Sequence, residues 1–139
     1  MLKRMTFVTV ALAIVSLGLL AACNSKTPEE KAQSFVNHSA RKFDLTDYQK
    51  ARLLEVASVA LDLRAELTKD QDELNVELIN MFVSDQLDQP RINQVLTEKE
   101  EIFRTYSRLL ITRVAEFHDS LSPQQRREIA EILRKHPRR

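Results

Sequence analysis

The sequence predicts an all-α fold. Its 139 residues include a single glycine, Gly18, while 43% are hydrophobic and 29% carry a charge. Few turns that need a positive φ can be built without glycine, and the abundant Ala, Leu, Glu, Gln, Lys and Arg favour helix. Apolar residues also recur every seven residues in two long stretches, which is the spacing of helices that pack side by side.

Four helices are expected. The first is predicted from Pro28 to about Lys42. The repeat Leu53, Ala60, Leu67, Leu74 and Met81 predicts one long second helix from about Thr46 to Val83. A third is predicted from about Gln89 to Asp119, with Asp88 as its cap and Pro90 in its first turn, and a short fourth ends near His136. The two long helices, joined by a short connection, are expected to form an antiparallel hairpin.

The first 22 residues are predicted to be an export signal. Lys3 and Arg4 precede an apolar run of about 16 residues, which ends in small residues before Cys23. That run is short for a membrane span, which needs about 20 residues. The stretch LAAC (20–23) resembles a bacterial lipobox. The resemblance implies cleavage before Cys23, lipidation of its thiol, and anchoring of the chain to a membrane.

This assignment divides the chain into a signal (1–22), a lipidated Cys23 with a polar tether (23–30), and a helical domain (31–139). As the only cysteine, Cys23 cannot form an internal disulfide. Without the signal, 19 Lys and Arg face 20 Asp and Glu, so no basic excess favours nucleic acid as a partner. We expect a periplasmic location. The residue after Cys23 is Asn24 rather than an aspartate that retains many lipoproteins at the inner membrane, which favours the outer membrane.

One five-residue motif occurs twice, as LTDYQ (45–49) and as LSPQQ (121–125). Each copy fits a capping box, in which Thr46 or Ser122 is the N-cap and Gln49 or Gln125 bonds back to it. The stretch LTKDQ (67–71) also fits, but it lies inside the heptad run of the second helix, so no helix is predicted to begin there.

The order of signal, short helix, LTxxQ, long helix, turn, long helix and second LTxxQ-like start resembles the Spy/CpxP family of bacterial periplasmic stress proteins. The resemblance covers about residues 28–136 and rests on a short set of motif positions: Leu45, Thr46, Gln49, Leu121, Ser122 and Gln125. It implies a four-helix protomer with a bent hairpin, paired as a cradle-like antiparallel homodimer. The predicted lipobox and the near-neutral charge differ from the freely diffusing, strongly basic members.

Two apolar rows are predicted on the third helix. The first is expected to face the hairpin partner, with Phe103 and Phe117 in the core; its members are Leu96, Phe103, Leu110, Val114, Phe117 and Leu121. The second row lies at the edge of that contact, where either a dimer partner or a client protein could cover it. Its members, with an arginine at each end, are Arg91, Val95, Ile102, Leu109 and Arg113.

No catalytic or metal-binding pattern is found, and we expect a protein that is not an enzyme and holds no cofactor or metal. His38, His118 and His136 are scattered, with no i,i+4 pair of the kind that binds zinc. His118 beside Asp119 could contribute to a weak metal site across a dimer, but a solvent-facing polar pair is the simpler interpretation.

The leading hypothesis is an envelope-anchored, ATP-independent holdase that binds partly unfolded or misfolded envelope proteins. The alternative is a regulatory adaptor that binds the periplasmic domain of a sensor kinase in an envelope-stress or metal-sensing system. A structural lipoprotein with one protein partner is a third hypothesis.

Overall fold

The computed structural model describes residues 27–135, and these residues form helices without any strand. The elements are α1 (Pro28–Lys42), α2 (Asp47–Thr68), α3 (Gln71–Val83), α4 (Gln89–Ser120) and α5 (Pro123–Lys135). The all-α prediction is confirmed. Cys23, the predicted signal and His136 lie outside the described residues.

Helix α1 starts at Pro28, so the last three residues assigned to the tether belong to its first turn. Thr27 and Glu30 form a capping box there that the sequence reading did not identify. Proline at the first helical position also suits this start, because its missing N–H would have no partner inside the helix.

The prediction of one continuous helix from Thr46 to Val83 was wrong. Helix α2 ends at Thr68 and α3 begins at Gln71, and Asp70 between them has a left-handed backbone with φ of 57°. Asp is one of the few residues apart from glycine that tolerates this conformation. If α2 and α3 are counted as one bent helix, the predicted number of four helices holds.

The core lies where three helices meet. Helix α2 packs against α1 on one side and α4 on another, and α4 runs opposite to α2, since Gln49 contacts Ser120 while Lys99 contacts Leu67. Ile129 of α5 packs against the same core. The least exposed large side chains are Val36, Leu63 and Leu110.

We call residues 27–68 and 102–135 the body, and residues 69–101 the distal arm. The arm consists of α3, the 84–88 connection and the first turns of α4. Every buried residue among 27–135 lies in the body, and none lies in the arm.

Candidate functional site

The two copies of the repeated motif meet in the body, each at the start of a helix. Thr46 Oγ1 accepts from the Gln49 N–H at 3.2 Å, and the Thr46 N–H donates to Gln49 Oε1 at 2.9 Å. Ser122 and Gln125 form the same pair of bonds at 3.1 and 2.9 Å. Both predicted capping boxes are therefore present.

Beyond these local bonds, each glutamine reaches across to the other motif. Gln49 Nε2 donates to the Ser120 carbonyl at 2.7 Å and to Gln125 Oε1 at 3.0 Å. Gln125 Nε2 lies 3.1 Å from the Phe43 carbonyl and 3.2 Å from both the Asp44 carbonyl and Gln49 Oε1. Each amide thus bonds to the carbonyl two residues before the other motif's N-cap, an approximately two-fold arrangement.

The contact between Gln49 and Gln125, here called the glutamine junction, explains why the motif occurs twice. One copy caps α2 and the other caps α5, and the two amides join the helix starts across 76 residues of chain. The leucine before each N-cap reaches the core, Leu121 as a buried residue and Leu45 as a partly buried one. With Gln49 only 7% exposed and its amide fully hydrogen-bonded, the junction holds the fold together and offers no reactive group.

A second polar cluster joins α2 to α4 through alternating charges. Arg52 contacts Glu55 at 3.0 Å and Glu116 at 3.6 Å, while Arg113 contacts Glu116 at 2.9 Å and Glu55 at 3.6 Å. Arg52 also lies over the Tyr48 ring, 5.1 Å from its centroid. The interaction with Tyr48, followed by the charge of Glu55, raises the pKa of Arg52. The two arginines and two glutamates of this cluster balance in charge.

The residues of the predicted second row on α4 differ in exposure. Val95 and Ile102 are half-buried, and only Leu109 is exposed. Arg91 and Arg113 do not stand free at its ends. Arg91 Nε lies 2.7 Å from Glu77 of α3, and Arg113 belongs to the charge cluster.

The predicted first row was wrong in its distal half. Leu110, Phe117 and Leu121 are buried, but Leu96 is 55% and Phe103 is 45% exposed. Rotation around the helix does not account for this difference, because at 100° per residue Phe103 and the buried Leu121, 18 residues apart, lie on the same side of α4. The difference lies along the helix: Leu96 belongs to the distal arm, where no residue is buried, and Phe103 lies beside the arm.

The main feature that sequence reasoning missed is the apolar surface of the distal arm. Val76, Ile79, Phe82 and Val83 on α3 are 59 to 85% exposed. On the side facing α4, the arm also forms an open apolar groove of about 320 Å³. The groove is lined by Leu67, Gln71, Leu74, Leu78, Ile92, Val95, Leu96 and Lys99. The heptad pattern places Leu67, Leu74 and Leu78 on apolar rows of one helix, but it could not reveal that no third helix among residues 27–135 covers them.

Lys99 holds the bend between α2 and α3. Its ammonium donates to the carbonyls of Glu66, Leu67 and Lys69 at 3.4, 3.1 and 3.2 Å. These carbonyls lose their usual intrahelical partners where α2 stops, and a cation is favoured at a helix C-terminus. Thr68 Oγ1 bonds back to the Arg64 carbonyl at 2.8 Å rather than capping α3.

Within residues 27–135 no group of three His, Cys, Asp or Glu side chains converges as metal ligands. His118 Nδ1 lies 3.0 Å from Asp119 Oδ1, and both side chains are largely exposed. None of the described helices combines the length and apolar content that a membrane crossing requires.

No family model, curated protein or solved structure matches the chain. Membership of the Spy/CpxP family therefore stays a prediction that rests on the motif positions and the order of elements.

Proposed function

We propose that the protein is a lipid-anchored periplasmic holdase of the Spy/CpxP type, which binds partly unfolded envelope proteins without ATP. The observation that carries the proposal is the distal arm, where large apolar side chains are exposed and none is buried. Exposed contiguous apolar surface on a protein marks a site of interaction. Partly unfolded chains expose the apolar segments that such a surface would cover.

The arm suits weak and reversible binding. Its groove is open, and its exposed apolar residues lie on the surface of α3 and of the start of α4 rather than in a closed pocket. Contacts of this kind are non-directional and tolerate many sequences. A client could therefore leave without an energy source.

The finer parts of the proposal concern assembly and anchoring. An antiparallel hairpin paired as a cradle-like dimer would bring two arms into one structure, and a lipidated Cys23 would hold it at the outer membrane. Cys23→Ser should release the protein from membranes. Wild-type protein found only in the soluble periplasmic fraction would exclude the anchor.

The test of function is suppression of client aggregation by the fragment that starts at Asn24, which keeps every described residue. Light scattering of two unrelated denatured clients should fall at near-stoichiometric amounts of this fragment. An unrelated helical protein of similar size serves as the control. Undiminished scattering with both clients would contradict the holdase. Specific capture of a sensor kinase's periplasmic domain in the same preparation would then favour the adaptor.

A further inference from the structure

One face of α3 carries a regular apolar row that points away from α4. Val76, Ile79 and Val83 are spaced by three and four residues, so they fall within a narrow arc of the helix, and Phe82 lies beside them. We call these four residues the outer stripe. Their exposed fractions are 59% for Val76, 63% for Ile79, 76% for Val83 and 85% for Phe82.

The outer stripe is not needed for packing within the described chain. Leu74 and Leu78 lie on the opposite side of α3 and line the groove that faces α4. Helix α3 is therefore apolar on two faces, whereas a surface helix of a globular protein carries one apolar face. The spacing of the outer stripe is that of a coiled-coil seam, which fits a partner helix.

The surroundings of the stripe are acidic. Residues 69–101 contain nine Asp and Glu against three Lys and Arg, a net charge of −6, whereas the described body carries +2. Two of the three basic residues are already engaged, Arg91 with Glu77 and Lys99 with the α2 carbonyls. Asp72, four residues before Val76, lies on the same face as the stripe and is exposed.

We propose that the outer stripe binds cationic amphipathic helical segments of its partners. The inference rests on the proposed holdase function and names the class of segment that the arm prefers. The apolar face of such a segment would cover Val76, Ile79, Phe82 and Val83, and its Lys and Arg side chains would lie in the negative field of the arm. A second copy of the arm is a poorer occupant, because two arms of net charge −6 repel each other.

The test compares two synthetic peptides against the full chain. Both have about 18 residues, five turns of helix, with the same apolar positions filled by Leu. One carries Lys at every polar position and the other carries Glu. Fluorescence anisotropy should give the Lys peptide at least about tenfold tighter binding at low salt, with the preference shrinking toward about 1 M salt.

A matched pair of variants locates the site. Ile79→Ser combined with Val83→Ser removes the stripe at two exposed positions, and we expect about a tenfold loss of affinity for the Lys peptide. Ile111→Ser changes an exposed apolar residue of the body, 41% accessible, and should leave the affinity unchanged. Circular dichroism should show equal helicity for both variants.

Equal binding of the two peptides would overturn the inference, and so would unchanged binding by the stripe variant. Sedimentation showing that the stripe variant dissociates a dimer would assign the stripe to a second copy and also overturn it. The holdase proposal is judged separately. Suppressed client aggregation without peptide preference removes only the inference, whereas tight Lys-peptide binding without suppression removes only the holdase.

Discussion

The body and the distal arm are built from helices with the same seven-residue pattern, yet they bury very different amounts of it. In the body, α2 has neighbours on two sides, α1 and α4, and residues such as Val56 and Ala57 are almost inaccessible. In the arm, the helix that lies beside α3 within the described part of the chain is the start of α4. Two helices alone cannot enclose both apolar faces of α3, so one face stays open. The comparison teaches that the pattern predicts apolar faces, while the number of neighbouring helices decides which of them become core.

The largest expected difference between the regions is in the cost of removing a leucine. Leu110 in the body is inaccessible, and Leu110→Ala should lower the unfolding free energy by about 2–5 kcal/mol. Leu74 in the arm is only half-buried, and Leu74→Ala should cost less than about 1 kcal/mol. Urea unfolding followed by circular dichroism measures both. Similar costs would show that a partner covers the arm in solution.

The next largest effect is expected at the glutamine junction, which lies in the body and joins two helix starts. Gln49→Ala removes the partner of the Thr46 N–H and of the Ser120 carbonyl, and should cost about 2 kcal/mol. Gln33→Ala, which removes an exposed bond to Asn37, is the control and should cost less than about 0.5 kcal/mol. In the double variant Gln49→Ala with Gln125→Ala, the loss of unfolding free energy should be smaller than the sum of the two single losses. Strict additivity would contradict the reciprocal amide contact.

Much of the fold could be predicted from the sequence because it depends on local chemistry. Helix starts at Thr46, Asp88 and Ser122 follow from capping residues that bond to nearby N–H groups. The absence of glycine beyond residue 18 and the heptad spacing then favour helix throughout. These signals lie within a few residues of the structure that they specify.

The rest could not be predicted, because it depends on contacts between distant residues. The bend at Asp70 is stabilised by Lys99, about 30 residues away, so the uninterrupted heptad row concealed it. Neither motif, taken alone, indicates that Gln49 pairs with Gln125. The exposure of Phe103 depends on which helices lie beside that part of α4, because the buried Leu121 lies on the same side of the helix 18 residues later.

The bend at the base of the arm gives a third test. Asp70 has a left-handed backbone, which glycine adopts without strain, so Asp70→Gly should stabilise the bent form by up to about 1 kcal/mol. Lys99→Met removes three bonds to the α2 carbonyls and should favour a continuous helix instead. Spin labels at the exposed positions Ser58 and Asn80, in a Cys23→Ser background, report the bend.

In a continuous helix those two labels would be about 33 Å apart, and the bend shortens that distance. We expect a longer distance in Lys99→Met and a narrower distribution in Asp70→Gly. Identical distances in the wild type and in Lys99→Met would show that the lysine does not hold the bend.

The smallest expected effect is the pH response of the ion pair within the arm. The hydrogen bond from Arg91 lowers the pKa of Glu77 below its ordinary value of 4.5. Because the folded pKa is lowered, the pair contributes its stabilisation fully above pH 4.5 and loses it as the pH falls through the lowered pKa. Both side chains are more than a third exposed, so the effect is small and weakened by salt.

The thermal unfolding midpoints of the wild type and Glu77→Gln should differ by a constant amount from pH 7 to 5, and the difference should shrink toward pH 3. Asn80→Gln, which changes an exposed position of the arm without altering an ionisable group, is the control, and its difference from the wild type should not vary with pH. A difference that grew as the pH fell would contradict the assigned pair.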